Sequence, residues 1–465
     1  MIKISKYRIE KDILGEIKVP DSAYWGINTQ RAIENFQISG ITFPKIFISS
    51  LAVLKKATTL ANIDLNLIDE NIGTAIIKAA EEIFKEGKYS DQFPIDFYQT
   101  GSGTQTNMNM NEVLANRANE ILGFPKGEKT PVHPNDHVNR CQSSNDVIPT
   151  TMHISALLLI NQKLFPALKR LVEGLTLKIE EFKEVIKVGR THLQDAVPIP
   201  LSLEFEVYKK QIITCENRIN NACKELYQIP IGGTALGTGL NASDGFAQLT
   251  IDYLSNMTEL PFEHNPVMAE GISSHNVISN LSSSLKNLAL SLLKMANDIR
   301  WMGSGPRAGL MELILPKNEP GSSIMPGKVN PTQSESLIQV CLRVIGNDAI
   351  ITYSEAYGSI LDLNVCKPLM IFSLLDSIEI ISNSINSFID HCLLDIKANR
   401  QQINSQLDNL LMLVTNLTPI LGYDKCSAIA IKAYDENKTI KDVIEEMGIE
   451  IGEDLDEILD PKKMV

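Results

Sequence analysis

The sequence predicts an all-α protein organised around an elongated bundle of five long helices, and three observations predict it. Apolar residues recur at three-four spacing through 151–187, 201–227, 273–302, 332–356 and 368–392, stretches longer than an ordinary globular helix. Gly- and Pro-rich loops separate them. Strand signals are confined to short N-terminal pieces at 3–8 and 15–19.

In chain order, residues 1–140 mix short helices with loops and form one predicted domain. The long helices fill a second, 141–394, and a small helical region with an acidic end, 395–465, forms the third. The first long stretch, 151–187, would run roughly 50 Å at 1.5 Å per residue. Pro166 is expected to kink it and Gly189 to cap its C-terminus. Helices apolar on more than one face pack against partners as well as within one chain, so an oligomer is expected.

Composition excludes more than it names. With 465 residues, 44% of them hydrophobic, the chain can bury a large core and hold two to four domains. Lys+Arg 43 against Asp+Glu 56 leaves −13, which argues against the basic face of a nucleic-acid binder. A small anionic substrate stays open, because a pocket can be positive inside an acidic protein. The first twenty residues carry charges every few positions and no apolar core of a secretory signal. ISALLLINQKLF is interrupted by Lys163 and MIFSLLDSIEII by Asp376, so neither extends to an uncharged membrane span. Seven scattered cysteines without a CxxC read as reduced core thiols. A soluble, cytoplasmic protein without membrane or nucleic-acid partners is expected.

Five polar loops interrupt the helices: GSGTQTNMN (101–109), HPNDHVNRCQSSND (133–146), GRTHLQDAVP (189–198), GGTALGTGLN (232–241) and GSSIMPGKVNP (321–331). Singly, each is explained as a turn. Together, their hydroxyls, amides and backbone N–H groups are the donors that hold carboxylates, and a shared anion site explains all five. GSSIMPGKVNPTQSE is the most informative. Asn330 suits an N-cap, Pro331 the first helical position and Gln333 the third, as in a capping box. The loop would then feed a helix N-terminus, which favours an anion. Lys328 beside it is either a solvated loop lysine or a point charge in the site, and composition does not choose. His192 follows a glycine-arginine turn, next to Thr191. The spacing of His133 and His137 suits a metal, but Pro134 and Asn135 oppose the helix it requires, so no metal is expected. Neither GSGTQT nor GGTALGTGL completes a dinucleotide fingerprint or a P-loop, and no GxSxG elbow occurs.

At GSSIMPGKVNP the chain resembles the fumarase/aspartase superfamily, and within it the class II fumarate hydratases. The likeness runs from YRIEKDILGEIKVPDSAYWG through NDIRWMGSGPRAGLMELILPKNEPGSSIMPGKVNPTQ to LGYDKCSAIA. It implies a three-domain subunit with a central five-helix bundle, a homotetramer whose active sites are shared between subunits, and no cofactor. It implies the reversible, stereospecific hydration of fumarate to L-malate, a tricarboxylic acid cycle step. Several features lean to that branch over the aspartate ammonia-lyases: Ser144 in QSSND, the NPTQSE ending, Lys367 in LNVCKP, and GSGTQTNMN. INTQRAIENFQISG leans the other way.

The likeness also implies roles. Ser322 is the candidate base, and His192, held by Glu335, the partner that handles the hydroxyl; which of the two takes the C3 proton stays open. Ser102, Gly103, Thr104, Ser143, Ser144, Asn145, Thr191, Ser323, Lys328, Val329 and Asn330 would bind the substrate. His133, Pro134, Asn135 and Asp136 match a second anion site. Thr130 stands where a basic residue is expected there, and His137 where an acidic one is common. A catalytically silent structural relative, like the lens crystallins, would be expected to have lost one of Ser322, Lys328, Asn330, His192 or Glu335, and all five are present.

Overall fold

The computed structural model describes residues 6–452 and 454–465. Helices account for 62% of it and strands for 8%, all in two-stranded pieces, which makes the fold all-α. Leu201–Glu225, Asn276–Met302, Thr332–Gly358 and Lys367–His391 lie within a few residues of the stretches expected from periodicity. The reason is visible in their buried faces. Leu281, Leu285, Leu288, Leu292, Met295 and Ile299 follow three-four spacing and are fully buried. Ile371, Leu374, Ile378, Ile381, Ile385 and Phe388 repeat the pattern on the next helix but one. Each such side chain contributes about 1.5–3 kcal/mol by leaving water.

The stretch at 151–187 is built differently. Its helix starts earlier, at Ser144, because Ser143 and Asp146 form a capping box. It runs to Leu159, opens into a π-turn at Ile160–Leu164, and continues as Phe165–Phe182. Pro166 has no N–H to return to the preceding turn, so the irregularity falls just N-terminal to it. The expected cap at Gly189 is absent. Ile186–Thr191 is a strand paired antiparallel with Gln194–Pro200, and Gly189 occupies its bulge between Val188 and Arg190. A Cβ at Gly189 would lie 2.6 Å from the Val197 carbonyl oxygen, so the close strand approach explains the glycine.

At the N-terminus, Tyr7–Asp12 pairs with Gly15–Pro20, so the first strand lies further along than expected; 3–5 fall outside the described residues. Two helices, Lys45–Asp64 and Lys367–Asp395, have the length and apolarity of a membrane span, but 72% and 61% of those windows are buried within the fold. All seven cysteines are free, and six are buried.

Two compact units emerge. The first comprises Met1–Phe165, Asn217–Asn287 and Arg343–Ile380; the second comprises Pro166–Glu216, Leu288–Leu342 and Ile381–Val465. In the first, Lys45–Asp64 packs against Glu70–Phe84, Ser144–Leu159 and Phe246–Thr258. In the second, Val414, Leu417, Cys426, Ile429, Val443 and Ile444 close a small core of their own near the C-terminus.

Candidate active site

In the first unit, two helix N-termini lie side by side. Thr104–Ile121 starts after Gly103, whose φ of +72° is left-handed. A Cβ there would touch Ile148 of the helix beginning at Ser144, at 3.0 Å. Asn107 Nδ2 donates to Ser144 Oγ at 2.9 Å, so the start of each helix lies within a turn of the other, and a helix N-terminus is a place where a carboxylate is favoured. Ser102 and Thr104 share a hydrogen bond of 2.7 Å between their hydroxyls. Gln99 Oε1 accepts from the Thr106 N–H and hydroxyl, fixing the first turn. Gly101 passes so close to Val365 that a Cβ would lie 1.7 Å from the Val365 carbonyl oxygen.

The second N-terminus carries Ser143, Ser144 and Asn145. Asn145 Nδ2 donates to the Ala235 carbonyl at 2.9 Å, tying the helix to the 232–241 loop. Asp146 is fully buried, and its carboxylate accepts N–H groups of Ser143, Gly232 and Thr234 at 2.9, 3.1 and 2.9 Å. Burial raises its pKa to about 7 against the pull of those donors and of Lys55. Lys55, also fully buried, is drawn down to about 7 by burial, with the Asp146 charge opposing. Its Nζ donates to Asn139 Oδ1 at 3.0 Å and Gln142 Oε1 at 2.9 Å. Sequence reasoning did not single out Lys55, Asn107, Asn139 or Gln142. Asn107, Asn139 and Gln142 lie within the polar loops 101–109 and 133–146, and for Lys55 the signal was a lysine inside the apolar stretch SSLAVLKKATTLAN, at a position facing the core.

His133, Pro134, Asn135 and Asp136 also belong to this unit, at a π-turn spanning Pro134–Val138. His133 Nδ1 accepts the N–H groups of Asn135 and Asp136 at 3.1 and 3.2 Å, and the His133 N–H donates to His137 Nδ1 at 2.8 Å. Burial lowers the His137 pKa. Both Nδ1 atoms are thus engaged by backbone donors, and each ring keeps only Nε2 for another partner.

In the second unit, Thr191 and His192 lie at the tip of a β-hairpin, not after a helix. His192 and Leu193 both have left-handed φ, +57° and +59°, as a two-residue hairpin turn of the I′ type requires. All three residues are exposed. Beneath the turn, Arg190 Nη1 donates to Glu312 Oε1 at 2.5 Å, and Glu312 is fully buried. Lys187, also buried, approaches the other Glu312 oxygen at 3.4 Å.

The 321–331 loop closes on itself: the Gly321 N–H donates to the Lys328 carbonyl at 2.8 Å, and Asn330 Nδ2 to the Gly321 carbonyl at 2.7 Å. Gln333 Oε1 accepts from Ser387 Oγ at 2.9 Å. The expected capping box is therefore replaced by ties to the loop and to the neighbouring helix, and the helix begins at Thr332 after Pro331. Ser322 Oγ accepts two backbone N–H groups, from Ile324 at 3.2 Å and Met325 at 3.0 Å. Amide donors aimed at a hydroxyl oxygen favour its deprotonated form. Ser323, Lys328 and Val329 are exposed, and Glu335 lies in the first turn of the following helix. Within one chain no hydrogen bond joins His192 to Glu335 among the described residues.

Comparison with known proteins places this arrangement in context. The lyase family matches residues 15–346, and the fumarase C C-terminal family matches 413–465. A class II fumarate hydratase of Thermosynechococcus vestitus is 50% identical over 451 residues, covering 97% of this chain and 96% of the relative. The human mitochondrial fumarate hydratase is 46% identical over 467 residues, covering 100% of this chain and 91% of the relative. Among solved structures, the class II fumarase of Schistosoma mansoni superposes with a TM-score of 0.96 at 39% identity, covering 99% of each chain.

Proposed function

Since the chain belongs to the class II fumarate hydratase family, we propose that it interconverts fumarate and L-malate, with the candidate residues described above as its site. The observation that carries the mechanism is the pair of amide donors on Ser322 Oγ. In the dehydration direction, a C3 proton beside a carboxylate must be removed, and the electrons it leaves are held as an aci-carboxylate. Ser322 as alkoxide takes that proton, its charge held by the Ile324 and Met325 N–H groups. Lys328 and Asn330, on the same closed loop, stabilise the carboxylate that receives the electrons. Collapse of that intermediate expels the C2 hydroxyl, which His192 protonates to water; the reverse sequence hydrates fumarate. Ser102, Thr104, Ser143, Ser144 and Asn145 hold carboxylates at the paired helix N-termini, and Thr191 adds a hydroxyl beside His192. The turn at His133–Asp136 is assigned as a second, non-catalytic anion site.

The chain acts in this reading as a homotetramer, with loops from different subunits completing each site. Exposed apolar side chains support it: Leu342, Ile350, Tyr353 and Tyr357 line one stripe of Thr332–Gly358, and Ile324 and Met325 protrude from the loop of Ser322.

Absorbance of the fumarate double bond, followed with L-malate and then L-aspartate, tests the reaction. Fumarate should form from malate alone; formation from aspartate alone would overturn the reading in favour of an ammonia-lyase. Ser322→Ala should lose at least 100-fold in kcat, and near-normal turnover would remove it as the base. Mixing Ser322→Ala with His192→Asn subunits under exchange should restore part of the activity, and a monomeric mass by light scattering would contradict shared sites.

A further inference from the structure

A chain of hydrogen bonds runs from the buried Lys55 to the loop that meets the substrate. An ammonium has three donors and no acceptor, so whatever faces it must present a lone pair. Lys55 Nζ contacts Asn139 Oδ1 and Gln142 Oε1, which fixes both amides oxygen-inward. Asn139 Nδ2 is anchored on the opposite side, donating to the Gln142 carbonyl at 3.1 Å. With Asn139 Oδ1 committed as an acceptor, its other neighbours must donate, and Asn107 Nδ2 and Asn111 Nδ2 both do so at 3.2 Å. Asn107 is thereby oriented, and Nδ2 also donates to Ser144 Oγ at 2.9 Å. One lone pair of Ser144 is filled from the protein side, and its O–H is left to point elsewhere.

We infer that Lys55 is a positioning residue for substrate binding, setting the donor polarity of the Asn139–Asn107–Ser144 chain so that the Ser144 hydroxyl donates outward to a substrate carboxylate. The inference rests on the proposed role of Ser144 as a carboxylate ligand. Without the lysine, Asn139 is held only by the Gln142 carbonyl and by Asn111, its hold on Asn107 weakens, and Asn107 can flip so that Ser144 turns its proton inward to Asn107 Oδ1, an atom with no partner among the described residues. Ser144 would then meet the substrate with a lone pair. The position of the lysine agrees with this role: it is fully buried, too deep to touch substrate, and among the described residues its Nζ hydrogen-bonds to the two amide oxygens alone. A buried lysine that donates to both amide oxygens at such a place is explained by the orientation it imposes.

Succinate, a four-carbon dicarboxylate that cannot be hydrated, is the probe. Calorimetric affinity for succinate and the steady-state constants for fumarate are measured on the full-length protein for Lys55→Met, Ser144→Ala and the double variant. Lys55→Met should weaken succinate and raise KM at least tenfold, with kcat reduced less than threefold. Ser144→Ala should do the same, and the double variant should be no worse than the weaker single one, because the two act in series. Should Lys55→Met not fold, Asn107→Leu breaks the same chain with the lysine in place and should show the same loss in KM. Succinate affinity within twofold of wild type in Lys55→Met or in Asn107→Leu, with Ser144→Ala impaired, would overturn the inference and leave Ser144 as a ligand. Unchanged affinity in Ser144→Ala would instead remove the premise, and the inference with it.

Discussion

Removing the Glu312 carboxylate should weaken both the second unit and the chemistry assigned to His192. Glu312 is fully buried and is the anion for two cations, Arg190 at 2.5 Å and Lys187 at 3.4 Å, which are themselves 14% and 2% exposed. The other carboxylates near these cations are distant, Glu204 at 3.5 Å from Lys187 Nζ and the exposed Asp195 at 3.8 Å from Arg190 Nε, which leaves them neutral acceptors: the Val188 carbonyl at 2.8 Å from Lys187 Nζ and Gln406 Oε1 at 3.3 Å from Arg190 Nη2. Deleting one partner of a buried ion pair typically costs about 3–5 kcal/mol, because the remaining charge stays desolvated. Glu312→Ala should fall in that range, and Glu312→Gln, which keeps an acceptor for Arg190, should recover part of it. Arg190 precedes His192 by two residues on one hairpin, so relaxation of the guanidinium displaces the turn. A shift of about 1 Å at a reacting group can cost about 100-fold, so kcat should fall roughly 10- to 100-fold, with a smaller change in KM. Thermal unfolding at fixed protein concentration and steady-state kinetics on both variants check this. A Glu312→Ala protein with wild-type melting temperature and kcat would refute the argument that this carboxylate anchors the hairpin.

Gly321→Ala should open the Ser322 loop, since the new Cβ would lie 2.8 Å from the Lys328 carbonyl oxygen and 2.9 Å from the Asn330 nitrogen; activity should drop at least tenfold and proteolysis of the loop accelerate. Leu193→Gly should stabilise the hairpin by about 1 kcal/mol, because glycine adopts the left-handed φ of +59° without a Cβ clash; a lower melting temperature would count against the turn assignment. Burial lowers the His153 pKa to about 4 against hydrogen bonds to the Leu226 and Gln228 backbone, so its neutral form stabilises the fold above pH 6.5 and that contribution is lost as pH falls through 4. It amounts to about 3 kcal/mol. In His153→Gln the loss of stability between pH 7 and 4 should be smaller than in wild type by about that amount, and buried His275, lowered chiefly by its own burial and further by Lys367 and by His153, is somewhat less shifted in the variant.

The long helices were legible in the sequence because a single face of Leu and Ile repeats over six or more turns, and no competing pattern of that length exists. What failed was local. Ile186–Thr191 is only six residues, and the 37-residue apolar pattern at 151–187 runs into its first two, which hides the strand although Ile186, Val188 and Thr191 are β-branched. Gly189 was read as a helix stop when its cause is the Val197 carbonyl, a contact made only in the folded hairpin. In the same way, Asn330 and Gln333 had the right spacing for a capping box, but Gly321 and Ser387 compete for them across tertiary contacts. Residues of the candidate site in polar loops were visible by type. Those supporting them were not: Lys55 lies in an apolar helix and Glu312 in the run AGLMELIL, where a single charge carries no pattern.

A chain of net charge −13 that binds a dicarboxylate must do so with local donors, and this has a measurable consequence. The groups assigned to the substrate are backbone N–H groups at helix ends, hydroxyls and amides, with Lys328 the one charged side chain among them. Their action is short-range, whereas the repulsive field of the acidic surface extends outward and is screened over about 8 Å at physiological ionic strength. Added salt should therefore weaken the repulsion more than the attraction. KM for fumarate between 20 and 300 mM potassium chloride should stay level or fall, at constant kcat. A site built on exposed lysines would show the opposite, with KM climbing steeply as salt screens the attraction. A tenfold rise over that range would mean that Lys328 carries the affinity and that the paired helix N-termini are incidental to it.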